Sequence, residues 1–188
     1  MKKIIPLILL FLGAVGVAIF VSINNAKTDE NIKKEWIIKN PKIEQIKLDG
    51  NQQPLKIKIL ETENEETKVS LSGKVANSTI NALEKAELSN SKLFIPFSEK
   101  GFKLAVYSDG KDTLDVTIEL GKNANVEELL VDVLSGKIDM VVPKTFEGKY
   151  DVKVNGGAKL LNVPETKGTT NSVVKIITFD DVNITRES

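Results

Sequence analysis

Ser135, Lys137 and Asp139 lie within five residues of one another, around Gly136, in the segment VDVLSGKIDMVVP at residues 131–143. A serine close to a lysine is the material of a Ser-Lys nucleophile, and a glycine turn beside both is the material of a phosphate cradle. Neither chemistry is expected here. A phosphate loop needs a longer glycine-rich run that leads into a helix, whereas Ile138, Met140, Val141 and Val142 continue this turn as a strand. A lysine that activates serine must be buried and deprotonated in a formed pocket. The scattered acids Asp115, Asp132, Asp139, Asp180 and Asp181 are the right type for glycoside hydrolysis, which takes two carboxylates about 5–10 Å apart across one cleft. Asp180 and Asp181 are adjacent, so in a strand they would point to opposite faces, and as turn residues they need no catalytic role. The chain has no histidine and no cysteine. That removes the commonest metal ligand and neutral-pH base, and with it thiol catalysis and disulfides. Residues 61–66 carry four glutamates but lack the Asp/Asn/Gly spacing of a dedicated calcium loop. No catalytic, cofactor or metal residue is assigned, and no cofactor is expected.

The elements that would position such residues begin after an apolar run. Residues 4–23 are uncharged, and 14 of these 20 are Leu, Ile, Val or Phe. At about 1.5 Å per residue they reach about 30 Å, the thickness of a bilayer core. A transmembrane anchor is expected at 4–23, with a cytoplasmic tail at 1–3 and a polar juxtamembrane linker at 24–35. A cleavable signal peptide is the alternative, but Asn24 stands where its outer small residue would precede Ala26, and no lipobox cysteine exists. A short tail ahead of a long domain favours a single-pass cell-membrane protein with residues 36–186 extracytoplasmic.

From Trp36 onward the apolar period is two. Ile46 and Leu48 flank Lys47; Leu55, Ile57 and Ile59 alternate with Lys56 and Lys58; Leu114, Val116, Ile118 and Leu120 alternate with Asp115, Thr117 and Glu119. Alternation puts apolar side chains on one face and polar ones on the other, the pattern of half-buried strands. Phe102, Leu104 and Val106 alternate in the same way. Only residues 78–86 show helical spacing, with Ser78 or Asn77 as the expected cap. The tetrad LSGK occurs at Leu71 to Lys74 and again at Leu134 to Lys137, and strand-turn units recur from Gly136 to Gly157 and on to Asp181 at intervals of 21 and 24 residues. These are solenoid-like intervals. Ser72, Gly73, Ser135, Gly136, Gly156 and Gly157 are the expected structural turns.

Residues 27–58 hold eight lysines against five acids, which makes Lys33, Lys34, Lys47, Lys56 and Lys58 the candidate contacts for a cell-wall polymer or anionic lipid. Beyond residue 23 the chain carries 24 basic and 26 acidic side chains, a net charge of −2, which argues against a nucleic-acid partner. Phe94, Phe97, Phe102 and Tyr107 form an aromatic cluster suited to core packing or, alternatively, to a carbohydrate platform.

The segments QPLKIKI at 53–59, KLFIPF at 92–97, VDVLSGKIDMVVPKTF at 131–146, YDVKVNGGAKLLNV at 150–163 and IITFDDVNI at 176–184 resemble the putative adhesin family known as domain of unknown function 4097, in its membrane-anchored, envelope-stress-associated Gram-positive form. The resemblance implies an all-β, right-handed β-helix or solenoid-like stack of short strands, and it brings no catalytic residues. The family's Ser-Gly-Asp turn reads Ser-Gly-Lys at 135–137, with Asp139 displaced. The expected function is a non-enzymatic, membrane-anchored binding or scaffold module at the cell envelope. The alternative is an accessory or sensory component of an envelope stress response acting through a membrane-protein partner. A polysaccharide-active enzyme is the third reading.

Overall fold

Residues 28–98 and 111–188 are described by a computed structural model of the chain. The expected anchor at 4–23 and the alternation at Phe102 to Val106 lie outside the described residues. Among those residues, no helix is long and apolar enough to cross a membrane.

The described residues form thirteen strands and one short helix, in the order β1 (Glu30–Ile38), β2 (Lys42–Asn51), β3 (Leu55–Glu61), β4 (Thr67–Val75), α1 (Asn77–Leu83), β5 (Glu87–Leu88), β6 (Lys92–Pro96), β7 (Leu114–Leu120), β8 (Asn125–Val133), β9 (Ile138–Val142), β10 (Lys149–Val154), β11 (Leu160–Asn162), β12 (Val173–Thr178) and β13 (Val182–Arg186). They form two sheets. The first runs β1-β4-β7-β3-β9-β13-β11 and the second β10-β12-β8-β2-β6-β5. Reading both orders together gives five rungs, each with one strand in either sheet, stacked as β10/β11, β12/β13, β8/β9, β2/β3 and β6/β7. Every pairing between rungs is parallel. At the β6/β7 end the stack is closed by antiparallel partners: β4 and then β1 on the first sheet, β5 on the second.

Parallel register turns the period-two pattern into continuous apolar rows. Leu93, Ile46, Leu129, Val174 and Tyr150 form one row of the second sheet, and Ile95, Leu48, Val131, Ile176 and Val152 the next. Facing them, Leu114, Leu55, Ile138 and Val182 line up across the first sheet, beside Val116, Ile57, Met140 and Ile184. All but Tyr150 and Val152 are buried. Each fully buried Leu, Ile or Val contributes about 1.5–3 kcal/mol by leaving water, so these rows hold the rungs together.

The all-β expectation stands, and the stack of short strands is present, but the rungs do not follow chain order. The first rung in sequence, β2/β3, lies fourth in the stack, and β12/β13 sits between β8/β9 and β10/β11. The connection at residues 163–172 lets the chain return to an inner position. Three local expectations also change. Glu30 to Glu35, read as linker, form the first part of β1, because pairing with β4 satisfies their backbone. The helix spans Asn77–Leu83 with Ala76 as its N-cap and no side-chain capping bond, so neither Ser78 nor Asn77 caps it. Ser72 and Gly73 lie inside β4 and not at a turn.

Candidate functional site

The chain crosses from the second sheet to the first at stacked corners, and most of the residues singled out for chemistry gather there. In the β8/β9 corner the Gly136 N–H donates to Asp180 Oδ2 at 3.0 Å. In the β10/β11 corner the Lys159 N–H donates to Asp181 Oδ1 at 2.7 Å. The two adjacent aspartates of the β12/β13 corner thus tie the corners on either side of it. Further along, the Leu134 N–H donates to the Asn51 carbonyl at 2.7 Å and the Leu55 N–H to the Lys137 carbonyl at 2.9 Å. Gln53 Nε2 donates to the carbonyls of Lys74 (2.8 Å) and Asp112 (3.0 Å), reaching the β4 and β7 side. Lys111 Nζ donates to the Gln52 carbonyl at 3.1 Å, and burial pushes its ammonium below the ordinary lysine value.

Ser135, Gly136, Gly156 and Gly157 occupy corners as the sequence indicates. Gly136 has φ +108, and a Cβ there would lie 2.2 Å from the Gln53 carbonyl carbon. Gly73, in the other copy of the tetrad, also has positive φ, +136, but it serves close approach of β4 to Leu114 and Thr113. Lys137 pairs with Asp139 at 3.1 Å and its side chain is about half exposed, so it is not the buried, deprotonated lysine that would activate a serine. A Ser-Lys nucleophile is therefore not assembled. Asp139 in turn accepts from Asn183 Nδ2 at 3.0 Å, and Asn183 Oδ1 accepts from Asn162 Nδ2 at 2.8 Å, which makes a polar ladder across β9, β13 and β11.

The five candidate lysines do not share a patch. Lys56 and Lys58 lie on the outer face of the first sheet, with Lys56 in register between Asp115 and Asp139. Lys58 lies 3.8 Å from Glu187, and Lys33 lies 3.9 Å from Glu35 on β1. Lys34 is half-buried and shares the inward-facing side of β1 with Trp36. Lys47 stands on the second sheet, 3.1 Å from Asp49 and 5.4 Å over the Phe94 ring. Elsewhere on the first sheet Glu119, 2.6 Å away, holds the Lys68 ammonium above its ordinary value. Of the aromatic cluster, Phe97 is core and Phe94 is the half-exposed partner of Lys47; Phe102 and Tyr107 lie outside the described residues.

Two further features escape local reading. Asp49 and Asp132 are register partners on adjacent parallel strands and share the open outer face of the second sheet. No spacing in the sequence pairs residues so far apart, and a flat face supplies none of the enclosure that paired acid catalysis uses. At the mouth opposite the corners, a cleft of about 160 Å³ opens between the sheets, lined by Ile59, Leu120, Val126, Phe146 and Val174 with Glu61 and Glu147 at its rim. Both carboxylates are engaged: Thr145 Oγ1 donates to Glu61 and Thr169 Oγ1 to Glu147, each at 2.6 Å. Among the described residues no group of three or more acidic side chains is arranged to hold a metal ion.

Solved structures of similar outline exist. One is described as a putative cell adhesion protein from Clostridium sporogenes ATCC 15579, 16% identical over 84% of this chain and 100% of its own, with a TM-score of 0.34. Another is described as a putative adhesin from Bacteroides fragilis NCTC 9343, 9% identical over 85% of this chain and 98% of its own, with a TM-score of 0.35. At that level neither likeness bears on function. No family model matches the chain, so the resemblance to domain of unknown function 4097 stays a likeness of strand-turn segments, and no curated protein matches either.

Proposed function

We propose that the chain is a non-enzymatic binding or scaffold module, held at a cell membrane by residues 4–23 with its β-domain on the extracytoplasmic side. The observation that carries this reading is the use made of the acids. Asp180 and Asp181 accept backbone N–H groups from neighbouring corners, and Asp139 sits within the Asn183 and Asn162 ladder. Carboxylates committed to holding rungs together are acceptors in a scaffold, and the scaffold presents broad strand faces outward. The apolar length of residues 4–23 supports the anchor. Lys33, Lys56 and Lys58, on the outer side of the first sheet, are the proposed contacts for an anionic cell-wall polymer or lipid headgroup; Lys47 acts from the opposite face.

The test is co-sedimentation of the detergent-solubilised full chain with isolated cell wall and with vesicles containing anionic lipid, at low and at physiological salt. Binding that weakens with salt, and weakens further in the K56Q/K58Q variant, is the expected result. No binding at low salt overturns the surface role. Digestion of the large domain by protease added to intact cells is expected, and its protection would overturn the orientation.

A further inference from the structure

The stack is closed at one end and open at the other. Beyond β6/β7 the antiparallel strands β4, β1 and β5 cover the terminal rung, whereas β10 and β11 are the outermost strands of both sheets at the far end. The N–H groups of Lys149 and Asn155 donate inward, to Ser172 and Thr178, each at 2.9 Å. In a parallel ladder alternate residues point their backbone to alternate sides, so Tyr150, Val152 and Val154 turn N–H and C=O outward, with no partner among the described residues. The apolar rows also stop here. Tyr150 and Val152 are half-buried where their counterparts one rung inward are buried, and Leu160 and Leu161 on β11 are 48% and 46% exposed. An unpaired edge that continues a hydrophobic core is a template for another strand.

The charges on β10 identify the strand that fits. Lys149, Asp151 and Lys153 alternate with the apolar residues and are exposed. Pairing β10 antiparallel with a second β10 through the outward backbone groups permits few registers. Centring on Asp151 sets Asp151 against Asp151 and Lys149 against Lys153, and centring on Lys153 opposes two lysines; like charges directly opposite are destabilising. Centring on Val152 sets Asp151 against Lys153 twice and makes Tyr150, Val152 and Val154 the hydrogen-bonded positions, about six backbone bonds in all. A register centred on Tyr150 also opposes unlike charges but runs off the start of the strand. The geometry points to a two-fold, end-to-end dimer of this chain, joined β10 to β10 about Val152, in which the two β11 strands of the terminal rungs bring Leu160 and Leu161 of both copies together. This goes beyond the scaffold role proposed above and does not depend on the ligand.

The native chain has no cysteine, so a single introduced one reports its own contacts. The full chain carrying Val152→Cys, in mild detergent under gentle oxidation, is expected to form a disulfide-linked dimer, because residues facing each other at a hydrogen-bonded antiparallel position have Cα atoms about 5.5 Å apart, within disulfide reach. Lys56→Cys, exposed on the first sheet, serves as control. Adding D151K to Val152→Cys should cut crosslinking about fivefold, and D151K/K153D should restore it. Sedimentation equilibrium of the cysteine-free D151K and D151K/K153D chains reads the same register without touching Val152. Crosslinking no greater than the control, or a D151K loss that the double swap does not restore, overturns the dimer.

Discussion

The Gly136 N–H and the Asp180 carboxylate meet at 3.0 Å, joining corners of two rungs that are 44 residues apart in the chain. Gly136 also lies so close to Gln53 that a Cβ would stand 2.2 Å from the Gln53 carbonyl carbon, whose oxygen accepts from the Asn51 side-chain amide. Gly136→Ala is expected to cost about 3 kcal/mol or more, from left-handed strain and collision together, while Asp180→Ala costs about 1–2 kcal/mol. Gly157→Ala is the contrast: φ is +86 but nothing lies within 4 Å of its Cβ, so about 1 kcal/mol of strain is expected. Urea unfolding of the three variants checks the order. Equal losses at the two glycines would remove the close-approach explanation.

Arg186 is the single arginine, and it clamps the end of the chain to two loops. Its Nη1 donates to the carbonyls of Lys144 (3.0 Å) and Phe146 (2.8 Å), and its Nη2 to that of Glu165 (3.1 Å). A guanidinium reaches three carbonyls because its donors are held in a plane; an ammonium acts as one point. Arg186→Met is expected to cost about 2 kcal/mol, and Arg186→Lys to recover less than half of it. Full recovery by lysine in urea titrations would mean that charge alone matters here.

What could be read from the chain was the inward face of each strand; what could not was which strand lay beside which. Leu55, Ile57 and Ile59 alternate with lysine and are all buried, because period-two burial is a local property. Leu48 and Val131 are neighbours across parallel strands 83 residues apart, and no local pattern encodes that register. The repeated LSGK tetrad shows the same limit. Gly136 turns a corner because a strand of the opposite sheet starts immediately after it, whereas Gly73 stays within β4 because β1 remains paired alongside. Both glycines were legible as positions of unusual backbone, and only the tertiary neighbours decide between turn and close approach. The lysines divide for a related reason: Lys47 and Lys56 fall on consecutive strands of one rung and hence on opposite faces of the molecule.

Glu147 makes the loop at residues 163–172 sensitive to acid. The Thr169 hydroxyl, and then the Lys167 ammonium, hold its carboxyl below the ordinary value of 4.5. A folded-state pKa below the unfolded one contributes stability above the unfolded value, and that contribution is lost as pH falls through the lowered one. The Thr169 N–H, which donates to the Glu147 carbonyl at 3.1 Å, is expected to lose exchange protection over that window before the core amides do. In Glu147→Gln the protection should be weaker at neutral pH and no longer change across the window. Retention of the acid step in that variant would place the titrating group elsewhere.

Tyr150 gives the opposite pH dependence. Its ring packs against Phe146 with centroids 5.3 Å apart, and its hydroxyl is buried without a hydrogen-bond partner among the described residues. Burial raises the phenol above its ordinary 10.0, opposed in part by Arg186. The folded chain therefore keeps its proton where the unfolded chain releases it, so stability is complete below pH 10 and declines as pH rises through the folded value. Tyr150→Phe removes both the orphaned hydroxyl and the titration. It is expected to stabilise the fold by about 1 kcal/mol at neutral pH and to reduce the alkaline decline. Urea midpoints at neutral and alkaline pH measure both effects. Destabilisation at neutral pH would show that the hydroxyl has a hydrogen-bond partner in solution, which at this open end of the stack would be a residue of another copy or an ordered water.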